Sequence, residues 1–204
     1  MLNDLDNASK IKLFNDLYEK IDGFSASKTA RTNLNLLSDS ALTYGEVEFN
    51  SFEEIIQLAK PKKGEVFYDL GSGTGKPVII AALCFDFSAC KGIELLEPLY
   101  TLSIQVQKEL YTHIDINQLP EIAFYHQDFI QDDFSSANIV FINATCFPAE
   151  LWEKLIQKFN AMPKGLRIII NSKRIESPFF EEVHSGSHLM SWGMNSVRIY
   201  EKIK

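Results

Sequence analysis

Val66-Phe67-Tyr68-Asp69-Leu70-Gly71-Ser72-Gly73-Thr74-Gly75-Lys76-Pro77-Val78-Ile79-Ile80 is the stretch that decides how this chain folds. Residues of strand character run straight into alternating glycines, and a helix-length apolar run follows, with Pro where a first helical turn tolerates it. Glycines at a strand-to-helix turn let backbone approach a ligand with no Cβ in the way. Outward from this turn the same alternation repeats. Short apolar runs predict strands at residues 66–70, 90–95, 122–125, 138–143 and 166–171, with helices near 77–84, 98–111 and 148–161 between them. Strands alternating with helices are the mark of βαβ units and a parallel sheet. The tail departs from it: residues 189–193 and 196–203 predict a hairpin around Met194-Asn195, which adds an antiparallel edge.

The expected fold class is therefore α/β, a Rossmann-like, doubly wound, mostly parallel sheet with a C-terminal antiparallel hairpin and an N-terminal helical extension. In that extension Leu13, Phe14, Leu17, Tyr18 and Ile21 recur at helical spacing and Gly23 follows as a stop, predicting an amphipathic helix packed on the main domain. Residues 25–35 are rich in Ser, Thr, Asn and Ala without a clear period, and read as a linker or mobile loop. Ser51 followed by Glu54 matches a capping box that starts a helix through Ala59, ended by Pro61. This divides the chain into residues 1–50, a helix with a lid or linker, and residues 51–204, the main domain.

The net charge of −7 offers no basic field for a phosphate backbone, which weighs against strong nucleic-acid binding. The short basic runs Lys60-Pro61-Lys62-Lys63 and Lys173-Arg174 are of the length that solvated surface ordinarily carries. Cys84, Cys90 and Cys146 form neither close pairs nor zinc-ligand spacings, so a reduced interior is the simpler reading. Met1 to Lys10 hold no apolar leader segment, and no later run approaches membrane-spanning length. We expect a cytoplasmic monomer with no membrane segment and no metal. His113, His126, His184 and His188 show no triad or metal spacing; the last two share a helical spacing and read as a surface pair.

Three uses of a glycine loop compete. A phosphate-binding Walker loop wants Gly where Leu70 stands and Ser or Thr where Pro77 stands. A dinucleotide fingerprint wants its third glycine where Lys76 stands, and Asp69 at the strand end would repel a pyrophosphate. S-adenosylmethionine has no phosphate, and its sulfonium and ammonium groups are cationic, so Asp69 becomes an attraction. Glu94 lies 23 residues beyond Gly71 at the end of the second strand, where a carboxylate meets ribose hydroxyls, although a strand-end Glu can equally be solvated. Asp128-Phe129 follow the third strand, where this class places an acceptor for the adenine amine and a wall for its ring; a turn-capping Asp and a core Phe are the alternative. The cofactor candidates read from this loop and the strand ends around it are Asp69, Gly71, Ser72, Gly73, Gly75, Glu94, Asp128 and Phe129.

Beyond this loop the sequence resembles the non-SET histone lysine methyltransferases, the disruptor-of-telomeric-silencing family. The resemblance rests on Tyr44-Gly45-Glu46; on Asp69-Leu70-Gly71-Ser72-Gly73; on Asn143-Ala144-Thr145-Cys146-Phe147 with Leu151, Phe159-Asn160-Ala161-Met162-Pro163-Lys164-Gly165, Arg167-Ile168 and Ser172-Lys173; and on Ser191-Trp192. It implies a class I methyltransferase domain, S-adenosylmethionine as cofactor and a protein lysine amine as acceptor. It also implies that Tyr44, Gly45 and Glu46 lie over the methionine end and that Asn143 lines the channel where the acceptor amine enters, and so adds Glu46, Lys76 and Asn143 to the cofactor candidates. Asn143, Tyr44 and Trp192 are the catalytic candidates, with Phe147 as a further aromatic for that channel. Four positions depart from the family. Lys76 stands for its Gln, Ala144-Thr145 replace its Asn-Phe, and Ile199 falls where a Tyr is expected, next to Tyr200.

Such a reaction is an in-line transfer in which positioning is most of the catalysis and no covalent nucleophile is needed. A lysine amine, with an unperturbed pKa of ~10.4, must first lose a proton, which a narrow apolar channel favours. No Asn-Pro-Pro-aromatic element follows residues 138–143, which weighs against adenine or glutamine amines. Two other readings stay open: a small-molecule methyltransferase with the N-terminal region as its lid, and an inactive cofactor-binding module that serves as a protein partner.

Overall fold

The structure is a computed structural model describing residues 5–204; residues 1–4, part of the segment read as lacking a leader, lie outside it. Its elements are α1 (Asn7–Tyr18), α2 (Gly23–Asn33), α3 (Phe49–Leu58), β1 (Val66–Leu70), α4 (Lys76–Cys84), β2 (Ala89–Glu94), α5 (Glu97–His113), β3 (Glu121–His126), β4 (Ile139–Ile142), α6 (Ala149–Ala161), β5 (Arg167–Asn171), β6 (Phe180–Met190) and β7 (Gly193–Lys202). One sheet runs in the order β3-β2-β1-β4-β5-β7-β6, parallel from β3 to β5, with β7 inserted antiparallel between β5 and β6.

Successive strand residues point to opposite faces, and both faces are covered. Phe67, Phe141 and Ile169 pack with Phe52, Ile55 and Ile56 of α3, Ile79 of α4 and Leu110 of α5. Tyr68, Val140, Ile142 and Ile168 pack with Leu155 and Phe159 of α6 on the other face. This two-sided burial is why the strands read as continuous apolar runs. Strand order reverses between β1 and β4, and at such a switch point the crevice beyond the strand ends takes ligands.

Five sequence expectations change. Residues 25–35 are no linker: Asp22 caps α2 by accepting from Ser25 N (2.9 Å), and α2 packs on α5. Its buried residues, Gly23, Ser27 and Ala30, are too small to print an apolar period. Gly23, read as a stop, opens this helix because its missing Cβ admits the Tyr44 ring. The Ser51–Glu54 capping box does not form. α3 starts at Phe49 after an N-cap Glu48 with no side-chain bond, because Phe49, Phe52, Ile55 and Ile56 must share one buried stripe. The hairpin turns at Ser191-Trp192 instead of Met194-Asn195: β6 continues to the buried Met190, which bridges Val47, and Gly193 takes up a φ of 114°. His184 and His188 consequently lie on β6 and not on a helix. Four residues apart still means one face of a strand, and their rings sit 5.8 Å apart.

The amphipathic helix expected at the N-terminus, α1, packs on the main domain against α4 and α5. The C-terminus of α3 is tied to the sheet by buried Arg167, whose Nη1 donates to Ala59 O (3.0 Å) and Lys60 O (2.7 Å) and whose Nη2 pairs with Glu65 (2.6 Å). Ala59 is the C-cap of α3, and its carbonyl is one that a helix end leaves without a partner.

Candidate functional site

β1 delivers Asp69 to the end of the sheet, and the loop after it turns back onto β2 through Gly71 N and Ser72 N, which both donate to Ile93 O (2.8 and 3.0 Å). Two glycines are required by what lies against them. A Cβ on Gly73, at φ 55°, would overlap the Tyr44 ring, and one on Gly75, at φ 86°, would overlap Phe124.

Asp69 is 1% exposed and its Oδ2 has no partner; Ser72 Oγ is also buried and unpartnered. Burial first, and then the charge of Glu94, push the Asp69 carboxyl well above the usual carboxylate range. Glu94 is buried as well, yet each of its oxygens accepts a backbone N–H, Oε2 from Gly73 (2.8 Å) and Oε1 from Leu96 (2.7 Å). Burial raises its pKa and these donors oppose the rise. Asp69 is thus the carboxyl left without a donor.

Above the loop, Tyr44 OH donates to Glu46 Oε1 (2.8 Å) and lies 3.0 Å from Thr74 Oγ1, while Lys76 Nζ pairs with Glu46 Oε2 (2.6 Å). Burial, reinforced by Glu46, raises the Tyr44 pKa far above the ordinary tyrosine value, so this phenol keeps its proton. Tyr18 OH donates to Thr74 O (3.1 Å), and the Lys76 ammonium stands over the Tyr18 and Phe14 rings at 5.1 and 5.9 Å. The segment before α3 and helix α1 are thereby joined to the glycine loop.

On the far side, Asp128 Oδ1 accepts from Ile130 N (2.8 Å), so one oxygen caps the turn and Oδ2 is held only at 3.5 Å by Gln131. Phe129 lies nearly parallel to Phe147, ring centroids 5.9 Å apart. Lys158 of α6 fixes this loop, donating to Phe129 O (3.1 Å), Ile130 O (2.8 Å) and Asp132 O (2.5 Å).

Every sequence candidate except Gly75 borders one cleft: Tyr44, Glu46, Asp69, Gly71, Ser72, Gly73, Lys76, Glu94, Asp128, Phe129, Asn143 and Trp192. Gly75 instead caps α4 in a left-handed conformation. Half-exposed Trp192 packs on Gly45, where a Cβ would meet its ring. Ile199 is core, against the family's Tyr, and Tyr200 points to the opposite face, bonded to Glu182 (2.8 Å). Tyr18, Thr74 and Lys158 were not foreseen. Tyr18 reads as one more apolar position of α1, and Lys158 reaches residues 26 to 29 positions away, which leaves no local signal. An unpartnered buried carboxyl and an unpartnered buried hydroxyl beside the glycine turn fit a cationic, phosphate-free nucleoside.

The family model described as "Histone methylation protein DOT1" matches residues 27–198. A histone-lysine N-methyltransferase, H3 lysine-79 specific, from Dictyostelium discoideum is 25% identical, with 94% of this chain matched to 11% of that protein. The protein of the same description from Yarrowia lipolytica is 25% identical over 81% of this chain and 36% of its own length. The chain therefore spans about a tenth to a third of these relatives. Among solved structures, an RNA methyltransferase from Salinibacter ruber in complex with S-adenosyl-L-homocysteine matches with TM-score 0.60 and 21% identity over 76% of this chain and 92% of that one. Magnesium protoporphyrin IX methyltransferase from Synechocystis PCC 6803 with bound SAM matches at 0.57 and 14% over 97% and 98%. At these identities the structures establish the fold.

Proposed function

Because the chain belongs to the DOT1 family of histone methylation proteins, we propose that it is an S-adenosylmethionine-dependent methyltransferase whose acceptor is a protein lysine amine. The observation that carries this is Asp69, a carboxyl buried at the switch point with Oδ2 unpartnered. A cationic cofactor supplies what that oxygen lacks. When bound, the cofactor brings a sulfonium-borne methyl group open to in-line attack.

The residues divide the binding among themselves. Asp69 takes the cationic end, Glu94 has lone pairs left for ribose hydroxyls, and Asp128 with Phe129 meets the adenine. Lys76 and Glu46, already paired, offer one charge of each sign to the amino-acid end. Tyr44 remains a donor and cannot serve as the base that deprotonates the acceptor. Phe147 and Trp192 screen the acceptor side from water, which favours a neutral amine. We place the protein in the cytoplasm as a monomer without a strong hold on nucleic acid. The net charge of −7 supports the latter, and Glu181 and Glu182 on the outer strand β6 blunt the sheet edge against pairing with a second copy.

Incubation with radiolabelled S-adenosylmethionine and separate histone, total-protein, RNA and metabolite fractions tests the assignment. Label should enter lysines of the histone or total-protein fraction. Label confined to RNA or metabolites would overturn the acceptor, and calorimetry showing no affinity for the cofactor or its demethylated product would overturn the whole reading.

A further inference from the structure

The acceptor end of the cleft carries a feature that none of its roles above uses. Asn143 follows β4 and Asn171 ends β5, and since Ile142 pairs with Ile170 the two amides stand at adjoining strand ends. Past each comes a hydroxyl, Thr145 and Ser172, and Asn195 of β7 faces both. Thr145 Oγ1 donates to Asn143 Oδ1 (2.8 Å); Ser172 Oγ donates to Asn195 Oδ1 (2.8 Å); Asn195 Nδ2 donates to Thr145 Oγ1 (3.4 Å). Thr145 Oγ1 and Ser172 Oγ are also 3.2 Å apart. Each hydroxyl has one proton and two acceptors in reach, and the arrangement in which each donates to an amide oxygen runs from Ser172 to Asn195, Asn195 to Thr145 and Thr145 to Asn143.

We propose that Thr145 is a positioning residue for Asn143, and that Asn195 and Ser172 pass the placement of the C-terminal hairpin to it. The proposal rests on the reading of Asn143 as the acceptor-side group. With Oδ1 engaged by Thr145, the Asn143 amide presents one fixed edge to the cleft instead of two interchangeable ones. Two further observations agree. Ser172 sits at φ 66°, a conformation a non-glycine residue adopts at a cost and one that clusters at working sites. Asn171 is wholly buried with neither Nδ2 nor Oδ1 partnered, which marks the adjoining strand end as a place where a further polar group belongs.

The test uses the whole chain and the variants Thr145→Val, Thr145→Ser and Ser172→Gly. The first readout is the side-chain amide resonance of Asn143, assigned by its loss in Asn143→Ala. Thr145→Val should move it and Thr145→Ser should return it. Ser172→Gly removes both the hydroxyl and the left-handed strain, so it should move the resonance while leaving the melting temperature equal or higher. The second readout is turnover on a histone mixture. Thr145→Val should lower kcat about tenfold or more, as displaced reacting groups do, with KM for the methyl donor and affinity for S-adenosyl-L-homocysteine unchanged, and Thr145→Ser should restore it. An Asn143 resonance indifferent to Thr145→Val, or one that moves only in variants whose melting temperature falls, overturns the proposal. If the wild type methylates no fraction, the proposed function fails, and the resonance still decides whether the relay exists.

Discussion

At Asp69 a carboxyl has been taken out of water with no donor to Oδ2, while neighbouring Glu94 receives a backbone N–H on each oxygen. The consequence is a pH dependence whose sign can be worked out. The Asp69 pKa is raised by burial and by Glu94, so below 3.8 the group is neutral in folded and unfolded chains alike. As pH climbs towards the raised value, the folded chain must hold a proton the unfolded chain has released, and the contribution of Asp69 to stability falls. A cation in the cleft reverses this balance by favouring the ionised form. Affinity for S-adenosylmethionine should therefore weaken as pH is lowered, with proton release on binding visible as a buffer-dependent heat in calorimetry. Asp69→Asn should weaken binding roughly ten- to a hundredfold, the worth of a hydrogen bond to a charged group, remove the proton release, and leave the melting temperature of the free protein no lower. An unchanged affinity would show that this carboxyl faces something else. Asp69 and Glu94 were legible because both stand at strand ends beside the glycine turn, which brings them to one cleft. The Tyr44, Thr74 and Lys76 cluster was only half legible, since Thr74 meets Tyr44 across 30 residues and that meeting depends on how the segment before α3 folds back.

Among the elements, legibility followed side-chain size. The central strands β1, β4 and β5 and the three crossover helices announce themselves through large apolar residues, buried on both sides of those strands. α2 buries only Gly23, Ser27 and Ala30, so the same physics left no period to read. The hairpin turn was misplaced for a different reason: β6 runs on to Met190 because that residue bridges Val47, a partner outside the hairpin. α6 shows how a correctly read element can carry an unread function. Its apolar face, Leu155 and Phe159, is core, while Lys158 beside it holds three carbonyls of the loop bearing Asp128 and Phe129 and lies 4.8 Å from the Phe134 ring. Lys158→Met keeps the stem and removes the donors. The loop should then spend part of its time open, and an opening penalty of about 1 kcal/mol would appear as a roughly fivefold loss of cofactor affinity. Calorimetry with S-adenosyl-L-homocysteine measures it; full affinity in the variant would show that the loop is rigid without its lysine.

Taken whole, the molecule does not hold its N-terminal region as a detached lid. α1 reaches the glycine loop through Tyr18 OH on Thr74 O and through Lys76, whose ammonium lies over two α1 rings while paired with Glu46. Three segments distant in sequence thus meet at one helix start, the N-terminus of α4, and a ligand that orders that start must also restrain α1. Ligand at a hundredfold over its Kd stabilises the bound form by about 2.7 kcal/mol, so amides that exchange only when the site opens should slow by about a hundredfold. Hydrogen exchange in α1 and in residues 71–76 should therefore slow together when S-adenosyl-L-homocysteine is added. Lys76→Gln puts the family's residue in place, keeps a polar group at the loop and removes the charge over the rings. In that variant slowing should persist in residues 71–76 and shrink in α1. Were α1 in the wild type to exchange at the same rate with and without ligand, the N-terminal helix would be packing against the site without taking part in it.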